Sequence, residues 1–311
     1  MGFNKAQTEA ITHQNGPMLV LAGPGSGKTL VITKRIEYLI QKRKVRPEEI
    51  LVITFTKAAT NEMRERFRKS MQGQHFPVTF GTFHGIYYGI LKWAYGLSAE
   101  NIFSEEEKIR LLKEILEHTD AEIEVDDEKD FLEGITGEIS CIKNNQLEIK
   151  EFQSVYCPST VFREIYYTYE RERNRRKKLD FDDMLVLCHD LFIKRPDILE
   201  KWQERYKYIL IDEFQDINKV QYDVIRMLAL PQNNLFIVGD DDQSIYKFRG
   251  ARPEIMLGFE KDYPNAKKVL LDINYRSTKA IVNGAKKIIQ KNRNRYVKNI
   301  ITSNEQGADI H

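Results

Sequence analysis

The chain has 311 residues, a length that allows about two domains. Hydrophobic residues make up 41% and charged residues 30%, which excludes a disordered tail and fits a soluble globular protein with a core. The 48 Lys and Arg against 46 Asp and Glu leave a formal net charge of +2, which neither demands nor excludes nucleic acid, since one local basic groove suffices for phosphate contacts.

Short β-branched runs alternate with helical stretches, which predicts an α/β fold with a mostly parallel sheet. Strands are predicted at 18–22, 50–55, 78–82, 208–212, 235–239 and 269–271. They are mostly apolar rather than alternating, as strands covered on both faces should be. A helix is predicted over 30–41. Farther on, Ser104 and Glu107 form a capping box, and Ile109, Leu112, Ile115 and Leu116 fit one helix face. No strong strand follows until about Lys178, so residues 104–179 read as a helical insertion, and the sheet pattern resumes at Tyr208.

Charge is uneven along the chain. Residues 120–133 are acidic, and Arg171, Arg173, Arg175, Arg176, Lys177 and Lys178 form a basic run, read here as a solvated helix face. A helical stretch at 278–292 precedes a polar ending at His311, where a new strand is due; this suggests a piece of a longer protein rather than an ordinary frayed terminus. The cysteines Cys141, Cys157 and Cys188 form no C-x-x-C, which argues against a disulfide framework or zinc site and for the cytoplasm. No apolar run approaches the roughly 18 residues of a membrane span, so no membrane partner is expected.

Residues Ala22, Gly23, Pro24, Gly25, Ser26, Gly27, Lys28 and Thr29 follow the first strand and open a helix. The pattern is G-x-x-x-x-G-K-[ST] with Ala22 in place of the first Gly. Its glycines let the backbone wrap, so that N–H groups and a helix N-terminus form an anion nest for phosphates. Lys28 would add a point charge on the β- and γ-phosphates, and Thr29 a hydroxyl for Mg²⁺. Downstream, the strand at 208–212 ends in two carboxylates. Asp212 suits Mg²⁺ as a hard oxygen ligand. Glu213 suits polarisation of the water that attacks the γ-phosphate. Residues 239–243 read Gly-Asp-Asp-Asp-Gln, and Gln243 is a candidate γ-phosphate sensor. An EF-hand reading of the aspartates fails for want of its Gly and Glu.

Together these residues resemble the superfamily 1 DNA helicases of the UvrD, Rep and PcrA type. The similar motifs run in order across nearly the whole chain: Phe3-Asn4-Lys5-Ala6-Gln7; the P-loop; Thr54-Phe55-Thr56; Thr82-Phe83-His84-Gly85; Asp180-Phe181-Asp182-Asp183; Asp212-Glu213-Phe214-Gln215-Asp216; residues 239–249; and Asn274-Tyr275-Arg276-Ser277. The resemblance implies a RecA-like P-loop NTPase fold with a parallel sheet and an inserted helical domain. Residues 1–103 and 180–277 would form the ATP-binding domain, 104–179 the insertion, and 278–311 the start of a second RecA-like domain.

The resemblance also implies site roles. Gln7 would read adenine, Tyr275 stack on it, and Arg276 contact the γ-phosphate. Lys28, Glu213, Gln243 and Arg276 would be the catalytic set, with ATP and Mg²⁺ as cofactors. Phe55, Thr56, His84, Tyr246, Phe248 and Arg249 would lie along single-stranded DNA near a duplex junction. Stacking holds any base without reading sequence, which suits a motor. Core packing fits Phe55 and Phe83 equally well. Phe248 stands where the family commonly has Trp. The family's second motor domain, with its arginine finger, is missing from these 311 residues. Two other readings remain at this point: the motor part of a helicase–nuclease, and a nucleotide-gated interaction protein that does not translocate.

Overall fold

A computed structural model describes residues 2–118, 127–247 and 250–308. Phe248, Arg249 and residues 120–126 of the acidic run lie outside the described residues. In chain order the elements are α1 (Lys5–Thr12), β1 (Met18–Ala22), α2 (Lys28–Gln41), β2 (Ile50–Thr54), α3 (Lys57–Ser70), β3 (Thr79–Thr82) and α4 (Phe83–Tyr95). Then come the helices α5 (Glu105–Glu117), α6 (Glu128–Asn145), α7 (Ser159–Arg175), α8 (Phe181–Lys194) and α9 (Pro196–Arg205). The chain continues through β4 (Tyr208–Ile211), α10 (Lys219–Ala229), β5 (Leu235–Gly239), α11 (Pro253–Asp262), β6 (Lys267–Leu271) and α12 (Lys279–Ile289).

The six strands form one sheet in the order β3-β2-β4-β5-β1-β6, and every pairing is parallel. The α/β class with a parallel sheet is therefore as expected. Successive strand residues feed opposite faces, as the two-residue period of a strand requires. Leu19, Leu21, Leu51, Ile53, Ile209 and Ile211 join one core cluster, which includes Phe83 and Tyr87 of α4 and Leu185 and Cys188 of α8. Met18, Val20, Val52, Leu210, Phe236 and Val238 join another with α1, α2 and α3. β1, β2 and β5 are buried throughout, whereas the edge strand β6 exposes Lys267 and Lys268. Polar residues at that edge explain why the apolar pattern placed the start of β6 two residues late, at 269.

A third buried cluster belongs to residues between Phe103 and Tyr169, on α5, α6 and α7. Its base is drawn together by a parallel bridge between Ile102 and Leu179. Ser104 caps α5 through the expected capping box with Glu107. A buried ionic network then ties α6 and α7 to α8. Asp180 caps α8 and exchanges bonds with Asp183. Lys143 of α6 lies 2.7–2.9 Å from Glu170, Asp180 and Asp183. Tyr169 Oη donates to Asp180 at 2.8 Å. Burial disfavours the Asp180 charge, but Lys143 and Lys108 outweigh it and hold its pKa below the usual carboxylate range.

The basic run divides. Arg175 pairs with Glu172, Arg176 with Glu114 and Lys178 with Glu107, as a helix face should. Arg173 instead turns inward onto Asp183 and Glu170.

Removing one partner of a buried ion pair strands the others in low dielectric. Lys143→Met should therefore destabilise the chain by about 3–5 kcal/mol in urea unfolding. Arg175→Ala, which breaks an exposed pair, should cost less than about 1 kcal/mol.

Candidate functional site

All strands are parallel, so their carboxyl ends share one edge of the sheet. The neighbours β4, β5, β1 and β6 bring four segments there: Asp212-Glu213, residues 240–243, the P-loop and residues 274–276. Open α/β sheets bind ligands at this edge.

The P-loop leaves β1 and enters α2 through Gly27, whose left-handed backbone (φ 90°) serves as N-cap without a side-chain cap. The first N–H groups of α2 are thereby left for an anion. Gly25 is held close to the segment after β6. Its carbonyl accepts from Tyr275 N at 3.0 Å, and a Cβ on it would meet Arg276 Cβ at 2.7 Å. Asn274 sets that segment's shape: its Oδ1 accepts from the backbone N–H groups of Arg276 and Ser277, each at 2.7 Å. Arg276 is exposed beside the P-loop.

Gln7 is buried, and its Nε2 donates to Ser26 O of the P-loop at 3.3 Å. Its Oε1 closes the capping box of α1 with Asn4. Asn4 Nδ2 in turn donates to Tyr275 Oη at 3.0 Å. The two residues expected around adenine are thus joined through Asn4, which the sequence reading quoted within a motif and gave no role.

Lys28 Nζ donates to Glu213 Oε2 at 2.8 Å across 185 positions of sequence. Glu213 adopts a left-handed backbone (φ 51°, ψ 42°), which costs a non-glycine residue about 1–3 kcal/mol. Its carboxylate also accepts from Gln215 Nε2 at 2.9 Å. Gln215 Oε1 accepts from Asp240 N at 3.0 Å, and Asp240 Oδ2 accepts from Gln243 Nε2 at 2.7 Å. Gln243 therefore reaches Glu213 only through Asp240 and Gln215. Asp212 is buried, and burial followed by the Glu213 charge pushes its pKa up to about 6, against the opposing pull of Lys28. A buried, hard carboxylate short of positive charge suits a cation, and Thr29 supplies a hydroxyl in the first turn of α2. Among the described residues no group of three or more His, Cys, Asp or Glu side chains is arranged to hold a metal unaided. Mg²⁺ commonly binds through one or two carboxylates plus substrate phosphates, so the donor set fits that ion.

The residues expected on DNA gather elsewhere. Phe55, Thr56, His84 and Tyr246 line one cleft of about 710 Å³, together with Phe181 and with Asn144 of α6. Phe83 is instead core, and Phe55 packs edge-on against it at 5.2 Å while still facing the cleft. His84 stands edge-on to Phe181 at 5.7 Å, and burial lowers its pKa. Among the described residues, Glu105, Glu133, Asp182 and Asp216 line the cleft together with Lys108.

A family model for the UvrD/REP helicase N-terminal domain matches residues 3–264. YjcD of Bacillus subtilis is 41% identical over 321 aligned positions, covering 96% of this chain and 40% of that protein. The ATP-dependent DNA helicase PcrA of the same organism is 40% identical, covering 99% of this chain and 42% of its own length. PcrA of Staphylococcus aureus is 38% identical, with 99% and 43% covered. The chain spans about two fifths of the length of these curated relatives.

The Asp212 shift is directly measurable. Its folded pKa, about 6, lies above the ordinary carboxylate value of 3.8, so this group favours folding at low pH and loses that contribution as pH rises through 6. Carboxyl ¹³C NMR should show a midpoint near 6 for Asp212. Lys28→Met should raise the midpoint and Glu213→Gln should lower it; the opposite signs would refute the electrostatic account.

Proposed function

The chain belongs to the UvrD/REP helicase N-terminal domain family, and from that premise we propose that it is the nucleotide-binding part of an ATP-dependent DNA helicase motor. The observation that carries this reading is the contact between Lys28 and Glu213 at the sheet's carboxyl edge. It joins a P-loop ammonium to the carboxylate suited to activate water. Residues 1–103 with 180–277 act as the RecA-like ATP-binding domain, 104–179 as its helical insertion, and 278–311 as the lead into a second RecA-like domain.

The triphosphate replaces Glu213 as the partner of Lys28. Glu213 is then free to accept a proton from the attacking water. Thr29 and Asp212 would hold Mg²⁺, which when bound neutralises charge on the phosphates. Gln7 and Tyr275 hold the adenine, while Arg276 and Gln243 meet the γ-phosphate.

The aromatic cleft takes single-stranded DNA. Its acidic lining repels phosphates, so bases enter it to stack while the backbone stays at the rim. ATP hydrolysis drives translocation and unwinding once the second RecA-like domain closes on the nucleotide. By themselves the 311 residues bind Mg-ATP and turn it over slowly, because an arginine finger contributes about 10³–10⁵ in rate.

In this chain Lys28→Ala should weaken Mg-ATP binding. Glu213→Gln should keep binding but cut single-turnover hydrolysis by about 10²–10⁴-fold, the usual worth of a general base. Unchanged turnover in Glu213→Gln would remove Glu213 from the chemistry. For the cleft, Tyr246→Ala should weaken binding of a short oligo(dT) by about 1–3 kcal/mol in fluorescence anisotropy, the worth of one stacked base. Full affinity in that variant would place DNA elsewhere.

A further inference from the structure

A second ionic cluster lies one loop away from Glu213. After β5 the chain passes through Asp240, Asp241 and Asp242, and Lys298 inserts its side chain among them. Its Nζ donates to Asp240 Oδ1 and Asp241 Oδ1 and lies 2.9 Å from Asp242 Oδ2, with 1% of the side chain exposed. Arg295 closes the outer side with two bonds of 2.6 Å to Asp242. The segment that carries both cations is pinned farther on, where Asn274 N donates to Ile301 O at 2.7 Å. There Ile300 covers the P-loop so closely that a Cβ on Gly23 would meet its Cδ1 at 2.5 Å.

Burying an ammonium is unfavourable unless it is paired and hydrogen-bonded. Burial works against the Lys298 charge, but the aspartates outweigh it and hold its pKa above the ordinary value. The side chains of Asp240 and Asp241 are both 1% exposed, and Asp240 has both carboxylate oxygens and its N–H hydrogen-bonded. Oδ1 takes Lys298 and Asp242 N, Oδ2 takes Gln243 Nε2, and its own N–H donates to Gln215. Asp240 thus links Lys298 to Gln243 on one side and, through Gln215, to Glu213 on the other.

We propose that Lys298 is a positioning residue of the nucleotide site: its ammonium fixes Asp240, and through it the carboxamide of Gln243, so that residues 240–243 distinguish a nucleoside triphosphate from a diphosphate. The inference rests on the ATP reading above. Without the ammonium, Asp240 is a buried carboxylate lacking its counter-charge. It turns toward solvent, and the change releases Gln243. A nucleoside diphosphate, held by the P-loop and the adenine residues, has no γ-phosphate for Gln243 and is indifferent to the loss.

The test measures Mg-ATP and Mg-ADP affinities of the 311-residue chain with fluorescent nucleotides. Lys298→Met should leave Mg-ADP affinity within about twofold and reduce the ATP-over-ADP preference about tenfold, the loss of one hydrogen bond to a charged group. Arg295→Met touches the same loop only at Asp242 and should keep the preference. If Lys298→Met fails to fold, Lys298→Met combined with Asp241→Asn removes one charge of each sign and carries the same expectation. Equal weakening of both nucleotides would assign Lys298 a merely structural role and overturn the proposal. So would an unchanged preference, a loss as large in Arg295→Met, or a wild-type chain that binds both nucleotides alike. A wild-type chain that binds neither nucleotide overturns the ATP reading itself, and the inference falls with it.

Discussion

The ion pair between Lys28 and Glu213 organises the carboxyl edge of the sheet. The P-loop N–H groups and the N-terminus of α2 concentrate positive potential, and the Lys28 ammonium adds to it. It needs an anion, and Glu213 supplies one at 2.8 Å. The same ammonium draws the Asp212 pKa downward, while Glu213 pushes it up, so the carboxylates and the lysine form one electrostatic unit. Glu213 holds its place at the cost of a left-handed backbone. A triphosphate with its cation brings both charges the unit lacks, an anion for Lys28 and a positive centre for Asp212. On the proposed reading, binding would remove the reason for Glu213 to face the lysine and would free the residue for water in the same event.

The parallel sheet is what makes this geometry possible. One edge collects every strand-to-helix turn, and strand order then sorts the turns by task. β4, β5, β1 and β6 carry the P-loop and the segments gathered around it; β3 and β2 lead to His84 and Phe55 in the aromatic cleft. The buried network of Lys143, Arg173, Asp180 and Asp183 performs the matching service for the helices. It fixes α6 against α8, and with them the cleft wall that Asn144, Asp182 and Phe181 provide. Its ions need one another in particular directions, so it sets an angle between helices that apolar packing alone would leave adjustable.

Elements buried on both faces were the most legible in the sequence. β1 and β5 fall at 18–22 and 235–239 as predicted, because continuous apolar runs leave no other register. The prediction for β3 began one residue early, at Val78, and that for β6 began late; both are edge strands, with less burial to print a pattern. Site residues were legible where local motifs carry the chemistry, as in the P-loop. They were illegible where the partner is far away in the chain. Arg173 reads as one more solvated cation in a basic run and is instead buried. Lys298 stands in a polar stretch with no periodicity, and only the fold reveals that three aspartates more than fifty residues upstream surround it. Phe83 and Phe55 sit two strands' ends apart in similar short motifs, and packing alone assigns the first to the core and the second to the cleft rim.

The short turn from Asp212 to Asp216 is where the two sites meet. Asp212 and Glu213 face the P-loop, Gln215 bonds both Glu213 and the backbone of Asp240, and Asp216 lines the aromatic cleft beside Tyr246. Coupling between distant sites needs an element with two arrangements that both ligands bias. Glu213 has a left-handed backbone and an ion pair to Lys28, which phosphate would compete for on the proposed reading. Asp216 faces the other side. Burial and the Glu213 charge push its pKa up to about 6, and one of its buried oxygens has no hydrogen-bond partner among the described residues. On the proposed reading, a base stacked in the cleft would meet a carboxylate whose pKa burial and the Glu213 charge raise. Five consecutive residues thus set one charge between the P-loop lysine and the lining of the cleft.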